Sequence, residues 1–145
     1  MMRRTMLAFA AAAALSACTP PAAAPSELTG DWLVQEIAGA SLNAEARIHF
    51  SIDAEAGTIS GSTGCNTFTG AVTVFEQTVA ISNVAATERA CLDEAANVNE
   101  QRFLGVLPSV TRFARNGARL ELLGPPGQAD ALILARTDDF ATPAQ

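Results

Sequence analysis

The sequence predicts a mainly β (α+β) domain. We expect a strongly curved antiparallel sheet, or a partly open barrel, of about eight strands with one helix between strands five and six. Three observations support this fold class. Apolar and polar residues alternate over several short segments, the period of half-buried strands. Turn signals separate neighbouring segments, which favours antiparallel pairing. One segment alone has the spacing of a helix.

Five strands are predicted before the helix. The clearest spans residues 47–53, where Ile48, Phe50 and Ile52 alternate with polar residues. An earlier strand at residues 31–37 carries Trp32 and Val34 on one face, and both are expected in the core. The remaining three strands are marked by Thr58–Ser62, by Phe68, Val72 and Val74, and by Val79 and Ile81.

The helix is predicted from an apolar stripe with steps of three and four residues. The stripe consists of Leu92, Ala96, Asn99, Phe103, Val106 and Leu107. Asp93 and Glu94 fall in the first turn, where acidic groups suit the helix dipole. Pro108 is expected to end the helix.

A hairpin and a last strand complete the domain. Residues 110–115 and 119–123 flank Asn116-Gly117, a strong signal for a tight hairpin turn. In the last strand, residues 131–136, the run Leu132-Ile133-Leu134 predicts burial on both faces.

The first residues have the order of a secretory signal. Arg3 and Arg4 precede an uncharged apolar run, and Leu15-Ser16-Ala17-Cys18 resembles a bacterial lipobox. The run is too short to span a bilayer as a helix. We therefore predict a signal peptide at 1–17, a Pro/Ala-rich tether lipidated at Cys18 over 18–27, a domain over 28–136 and a mobile tail over 137–145.

Composition excludes some classes of function. Without the signal peptide, seven basic side chains remain against fifteen acidic ones, a balance of −8, and the chain has no lysine. Such a domain is a poor candidate for binding nucleic acid or a broad anionic membrane surface. The residue after Cys18 is Thr19 rather than Asp, which matches outer-membrane sorting in Gram-negative cells, and we expect a lipoprotein facing the periplasm.

Two cysteines remain beyond Cys18. Cys65 and Cys91 form an even pair in a chain predicted to enter an oxidising compartment, so a disulfide is expected. A metal site would need further ligands, and His49 is the only histidine. His49 lies on the polar face of its strand, where we expect it to point to solvent.

Two motifs carry a family resemblance. The first is Gly61-Ser62-Thr63-Gly64-Cys65-Asn66-Thr67-Phe68-Thr69-Gly70, and the second is Thr87-Glu88-Arg89-Ala90-Cys91. Together with Leu28-Thr29-Gly30-Asp31-Trp32 they resemble the META domain family, which includes HslJ-type envelope proteins. Shorter matches follow at Glu100, Phe103 and Leu107 and at Gly117, Leu120 and Leu122, so the resemblance covers residues 28–136. Arg89 departs from the pattern, which has methionine there, and must reach solvent or a carboxylate.

The resemblance implies a small, mostly β envelope domain without a general catalytic activity. Some relatives are linked to heat or antibiotic stress. We therefore expect a binding domain that is not an enzyme and has no cofactor, with the membrane and an unknown envelope protein or lipid as partners. The alternatives are a holder of an acyl chain or secretin segment, like the pilot lipoproteins of similar fold, an inhibitor of a hydrolase, and a hydrolase of unrecognised type.

Weak candidates for binding residues lie in two places. Ser62 and Asn66 could be polar contacts of a ligand loop, but they could equally bond to nearby backbone in a tight connection. Around the last hairpin, Arg112, Arg115 and Arg119, together with Arg136, could form one basic patch. That patch would either balance the acidic surface or meet anionic headgroups.

Overall fold

The computed structural model describes residues 25–43, 45–128 and 130–137. Cys18, the signal peptide, most of the predicted tether and most of the tail lie outside the described residues. The described residues begin with a short helix whose first three residues belong to the predicted tether, and Leu28 at its end, the first residue of the predicted domain, is fully buried. Within the described residues, no helix is both long and apolar enough to cross a membrane.

The described elements are nine strands, two α-helices and one 3₁₀-helix. In chain order they are α1 (Pro25–Leu28), β1 (Gly30–Ile37), β2 (Ala40–Ser41), β3 (His49–Asp53), β4 (Thr58–Ser62), β5 (Thr67–Phe75), β6 (Thr78–Ala86), α2 (Glu94–Val106), the 3₁₀-helix η1 (Leu107–Ser109), β7 (Arg112–Asn116), β8 (Arg119–Leu123) and β9 (Asp130–Arg136). The eight predicted strands are therefore all present, within a few residues of their expected bounds.

All described strand pairs are antiparallel, as expected, and the sheet closes into a barrel. Strands β1 and β3 to β9 pair in sequence order, and β9 also pairs with β1, from Trp32↔Arg136 to Ile37↔Leu132. The barrel is thus closed rather than partly open. The helix follows the sixth strand and not the fifth, because β2 adds one to the count. That strand has only two residues, too few to show a period in the sequence.

One seam of the barrel is thin. Strands β6 and β7 share a single register pair, Thr78↔Arg112. Two further backbone bonds hold this seam, one from Val79 N to Thr111 O and one from Phe113 N to Gln77 O, both 3.1 Å long. Beyond it, η1 packs against β6, and α2 leads into η1. The helical segment therefore fills the space that strand pairing leaves between β6 and β7.

The barrel interior is filled by side chains. Alternation places Phe50, Ile52, Ile59 and Phe68 inside, each 2 % exposed or less. Helix α2 adds Phe103, which is fully buried. Its ring centroid lies 5.1 Å from that of Phe68 and 5.8 Å from that of Phe50, in the range of favourable aromatic pairs. Helix α2 thus completes the core.

The predicted start of the helix was wrong. The helix begins at Glu94, and the Asp93 carboxylate accepts a hydrogen bond from Ala95 N at 3.0 Å as its N-cap. Leu92 precedes this cap and is fully exposed, so it does not belong to the buried stripe. Pro108 lies inside η1, directly after α2, and the predicted end was correct.

The hairpin and the buried last strand are confirmed. Asn116 pairs with Arg119, so Gly117 and Ala118 form the two-residue turn, and Gly117 has a φ of 61°. In β9, Leu132, Ile133 and Leu134 are all at least 97 % buried, as the apolar run predicted.

Candidate functional site

The loop between β4 and β5 forms a tight polar turn. Among the described residues, the polar residues Thr63 and Asn66 are buried, each with an exposure of 1 %. Thr63 N donates to Asn66 O at 2.8 Å, and Asn66 N donates to Thr63 Oγ1 at 2.9 Å. Thr63 Oγ1 also lies 3.1 Å from Asn66 O. Gly64, with a φ of 89°, permits the reversal between them. The glycine-rich motif therefore encodes a turn folded against the barrel.

The side chain of Asn66 is satisfied within the protein. Its Oδ1 accepts from Arg89 N at 2.8 Å and from Thr87 Oγ1 at 2.9 Å. Its Nδ2 lies 3.1 Å from Arg89 O and 2.9 and 3.0 Å from the two carboxylate oxygens of Glu100. An asparagine side chain offers two donors and two acceptor positions, and all of these have partners here. The geometry thus supports the structural alternative for Asn66, with Glu100 also accepting from Thr63 Oγ1.

Ser62 also has a local partner. Its hydroxyl accepts from Gly64 N at 3.1 Å, and the residue is half-buried at the end of β4. The hydrogen bond stabilises the same turn that contains Asn66. Sequence reasoning missed Glu100, Thr63 and Thr87 as members of this polar cluster, although each stands within the motifs that carry the family resemblance.

The expected disulfide is present between Cys65 and Cys91. Their Cα atoms are 5.8 Å apart, and 26 residues separate them in sequence. The bond ties the turn after β4 to the segment that leads into α2. Both sulfurs lie within 4.8 Å of a Glu100 carboxylate oxygen. Because they are bonded to each other, they are not the thiolates that metal binding requires.

His49 is exposed at the start of β3, as predicted from the alternation. Its Nδ1 lies 3.1 Å from Arg47 O, and within the described chain it makes no hydrogen bond to a serine, a cysteine or a carboxylate. Nucleophilic catalysis would need a base within hydrogen-bond reach of its nucleophile. The described residues around His49 do not offer that pair. Arg89, the departure from the family pattern, is exposed and so reaches solvent.

The four arginines do not form one patch. Arg112 and Arg119 are exposed, and Arg119 Nε lies 2.8 Å from Glu121 Oε1. Arg115 and Arg136 are half-buried, with their guanidinium carbons 5.0 and 5.3 Å from the centroid of the Trp32 ring. The four side chains therefore divide into an exposed pair and a half-buried pair. Successive side chains of a strand point to opposite faces, so Arg115 shares the inward face of β7 with Phe113, whereas Arg112 lies on the outward face.

Three side chains hold the end of α1 onto the barrel. Arg115 Nη1 donates to Glu27 O at 2.8 Å, Trp32 Nε1 to Leu28 O at 3.0 Å, and Arg136 Nη2 to Thr29 O at 2.8 Å. We call Trp32, Arg115 and Arg136 the arginine end of the barrel. Cationic donors are favourable at a helix C-terminus, where carbonyls lack partners within the helix.

The clefts found among the described residues are on the surface. One of about 590 Å³ is lined by Ser26, Thr29, Asp53, Ala54 and Glu55. Another of about 370 Å³ lies beside β1 and is lined by residues that include Leu33, Gln35, Leu42 and Arg47. Both clefts contain serine and carboxylate side chains, but among the described residues no hydrogen bond joins a lining hydroxyl to a lining carboxylate. Neither cleft therefore shows the hydrogen-bonded nucleophile and base of a preorganised catalytic pair.

The comparisons with known proteins agree with this fold. An NMR structure of a protein from Burkholderia xenovorans is 18 % identical, with a TM-score of 0.62, over 89 % of this chain and 99 % of that one. A crystal structure of a DUF4847 family protein from Bacteroides vulgatus is 17 % identical, with a TM-score of 0.53, over 76 % of this chain and 94 % of that one. None of the curated proteins matched the chain.

The family itself is given by a sequence match. The family model for the META domain matches residues 26–139, which is most of the chain. The motifs that fold into the Asn66 turn, the disulfide and the start of α2 all lie inside this match. The chain therefore belongs to the META domain family.

Proposed function

We propose that the protein is an envelope lipoprotein, anchored by acyl chains on Cys18, whose META domain binds a partner on its outer surface and catalyses no reaction. We place it at the outer membrane, facing the periplasm, with a role in envelope stress or antibiotic tolerance. The single observation that supports binding at the surface is the core, which Phe50, Phe68 and Phe103 fill.

The filled core also bears on the alternative of an acyl-chain holder. Such a protein needs a lined apolar cavity, whereas here the buried residues pack against one another across the barrel. A chain could enter only if Phe103 and α2 moved out of the barrel. A surface site requires no such rearrangement, and we therefore favour it.

A second candidate is the inhibitor of a hydrolase, and one loop favours it. Residues 87–93 are held at Asn66 and at the disulfide, and Leu92 and Arg89 stand exposed on this loop. A rigid loop with an apolar tip loses little conformational freedom when it enters a cleft. If this loop enters the hydrolase, Leu92→Asp should abolish inhibition of periplasmic hydrolase activity in extracts. The control is Val98→Asp, which changes an exposed apolar residue on α2 rather than on the loop and should preserve the inhibition.

The anchor is tested by metabolic labelling with a radioactive fatty acid. We expect label on the wild-type protein and none on Cys18→Ser, which should remain unprocessed or mislocalised. The matched control is the double variant Cys65→Ser/Cys91→Ser, which removes the other cysteines and should keep the label. Label that persists on Cys18→Ser would exclude the lipobox assignment. Stable anchoring needs more than one acyl chain, because a single chain binds a bilayer only marginally.

Surface binding is tested by crosslinking in intact envelopes. A photoreactive amino acid at position 92 or 47 samples the loop before α2 and the cleft beside β1. A substitution at position 59, inside the barrel, is the control and should crosslink to nothing outside the chain. Mass spectrometry then identifies the captured protein or lipid, and envelopes in which neither surface position captures anything specific would contradict the proposal.

A further inference from the structure

The arginine end of the barrel holds two cations without an acidic partner. Arg115 and Arg136 both adjoin the Trp32 ring, and no carboxylate of the described residues lies within 4.0 Å of either guanidinium. The whole chain carries fifteen acidic side chains against nine basic ones. In so acidic a protein, two neighbouring half-buried guanidinium groups with no counter-ion among the described residues are an unusual feature. Within that part of the chain, the carbonyl dipoles at the end of α1 are what balances their charge.

Most of the N–H donors of Arg115 and Arg136 have no partner within the described part of the chain. A guanidinium has five N–H donors. Arg115 uses two, to Gly117 O and Glu27 O, and Arg136 uses one, to Thr29 O. Arg136 Nε is buried and has no hydrogen-bond partner among the described residues, so it is closed to a ligand from solvent. An anion with several oxygens could accept the remaining Nη donors of both residues, in the geometry that arginine prefers for phosphate.

The backbone leaves room for the guanidinium of Arg136. Gly30 precedes Trp32 by two residues and has a φ of 143°, which side chains rarely adopt. A Cβ at this position would lie 3.0 Å from the guanidinium carbon of Arg136. The glycine therefore lets the arginine lie flat against the chain at the point where α1 ends and β1 begins.

We infer that the arginine end is a binding site for a phosphate group, supplied by a lipid headgroup of the membrane that carries the anchor. The argument for this source rests on the proposed anchor. Pro25 follows Cys18 by seven positions, a span of at most about 25 Å when fully extended. The site contacts α1 directly, so a short tether raises the effective concentration of headgroups near it. One local phosphate contact of this kind does not require a basic surface.

The experiment uses the full lipidated protein in a neutral detergent. Three probes are added separately: dihexanoyl phosphatidylglycerol, inorganic phosphate, and dihexanoylglycerol, which lacks the phosphate. The chain has a single tryptophan, Trp32, so its fluorescence reports on this site alone. We expect the phosphatidylglycerol to change that fluorescence and to raise the unfolding midpoint by about 5–10 °C at a concentration a hundredfold above Kd.

Matched variants assign the effect to the two arginines. Arg115→Gln/Arg136→Gln should weaken binding at least tenfold, and Arg112→Gln/Arg119→Gln, with the same loss of charge on exposed arginines, should bind like the wild type. A wild type that responds to no phosphate probe, or equally to dihexanoylglycerol, overturns the site, and this result does not depend on any variant folding. Equal weakening by both double variants also overturns it.

The same data separate the site from the anchor. Binding of inorganic phosphate as tight as that of the lipid keeps the site and rejects the membrane as its source. If Cys18 carries no acyl chain but phosphate still binds through Arg115 and Arg136, the proposed anchor fails while the site stands. If Cys18 carries the fatty-acid label but the protein responds to no phosphate probe, the anchor stands and the phosphate site is rejected.

Discussion

The side-chain amide of Asn66, on the turn before β5, donates to both carboxylate oxygens of Glu100 on α2, with N–O distances of 2.9 and 3.0 Å. The acceptor is a carboxylate, so these bonds belong to the stronger class. Asn66 also accepts from the backbone N–H of Arg89. One buried side chain therefore connects the barrel wall, the loop before α2 and the helix itself.

Replacing Asn66 should strongly destabilise the domain. Asn66→Ala removes the amide that donates to Glu100 and accepts from Arg89 N, so that Thr63 Oγ1 remains the partner of this carboxylate. A hydrogen bond to a charged group contributes about 1.5–3 kcal/mol, and the neutral bonds of the same side chain are lost with it. We expect the free energy of unfolding, measured by urea denaturation, to fall by about 3 kcal/mol. Asn97→Ala, at an exposed position on α2, is the control and should change it by about 0.5 kcal/mol or less. A loss as small as the control's would contradict the role given to Asn66.

The disulfide should contribute a large part of the stability. Reduction of Cys65–Cys91 frees a loop with a sequence separation of 26 residues, and removal of a native disulfide from a small exported domain costs roughly 2–5 kcal/mol. Denaturation with and without reductant measures this difference. Thiol counting on denatured protein from the envelope provides the check, and two free thiols per chain would be incompatible with the bond.

Two glycines should respond to alanine in opposite ways. A Cβ at Gly61 in β4 would lie 2.5 Å from the Cα of Phe50 on the neighbouring strand, so Gly61→Ala forces the strands apart. We expect a loss of about 3 kcal/mol in the free energy of unfolding, at the upper end for overpacking. Gly105 lies in α2 with open space around it, and Gly105→Ala should add about 0.5–1 kcal/mol through helix propensity. The two variants can be compared in the same thermal or urea denaturation, and equal signs would refute the expectation.

Neighbouring residues on β3 should differ sharply. His49 is exposed and Phe50 is buried to 1 %, although they are adjacent in sequence. His49→Ala should change the free energy of unfolding by about 0.5 kcal/mol or less, and Phe50→Ala should lower it by about 3–5 kcal/mol. Loss of the proposed envelope function in His49→Ala, with the fold intact by circular dichroism, would contradict the non-catalytic role proposed above.

The strands could be predicted because the barrel has one buried face. In β3, β4 and β8 every second residue enters the core, and that periodicity is local in the sequence. Barrel closure could not be predicted, since it depends on pairing between the first and last strands. The exposure of Leu92 was missed because its spacing fits the helical stripe, whereas the cap at Asp93 starts the helix after it.

The polar cluster and the arginine end could not be predicted from sequence patterns, for a different reason. The oxygen and nitrogen partners of the Asn66 side-chain amide stand 21 to 34 residues away, so no local spacing reveals them. Arg115 and Arg136 each follow an inward-facing residue by two positions, so the alternation along their strands places them on the inward face. They were nevertheless expected at the surface, because charged residues are seldom buried. The carbonyls of α1 make that burial possible, and α1 lies in the segment predicted to be a tether.

Pairing of β1 with β9 also determines when this domain can fold. Trp32 and Arg136 become neighbours only in the closed barrel, although they stand at opposite ends of the described chain. Such non-local pairing is slow, because the intervening chain must be ordered before the two strands can meet. For the exported protein proposed above, the first strand has no lasting partner on that side until the last strand has crossed the membrane. The polypeptide would thus stay open enough to be threaded through a translocation channel, and the barrel would close only after the whole chain has emerged.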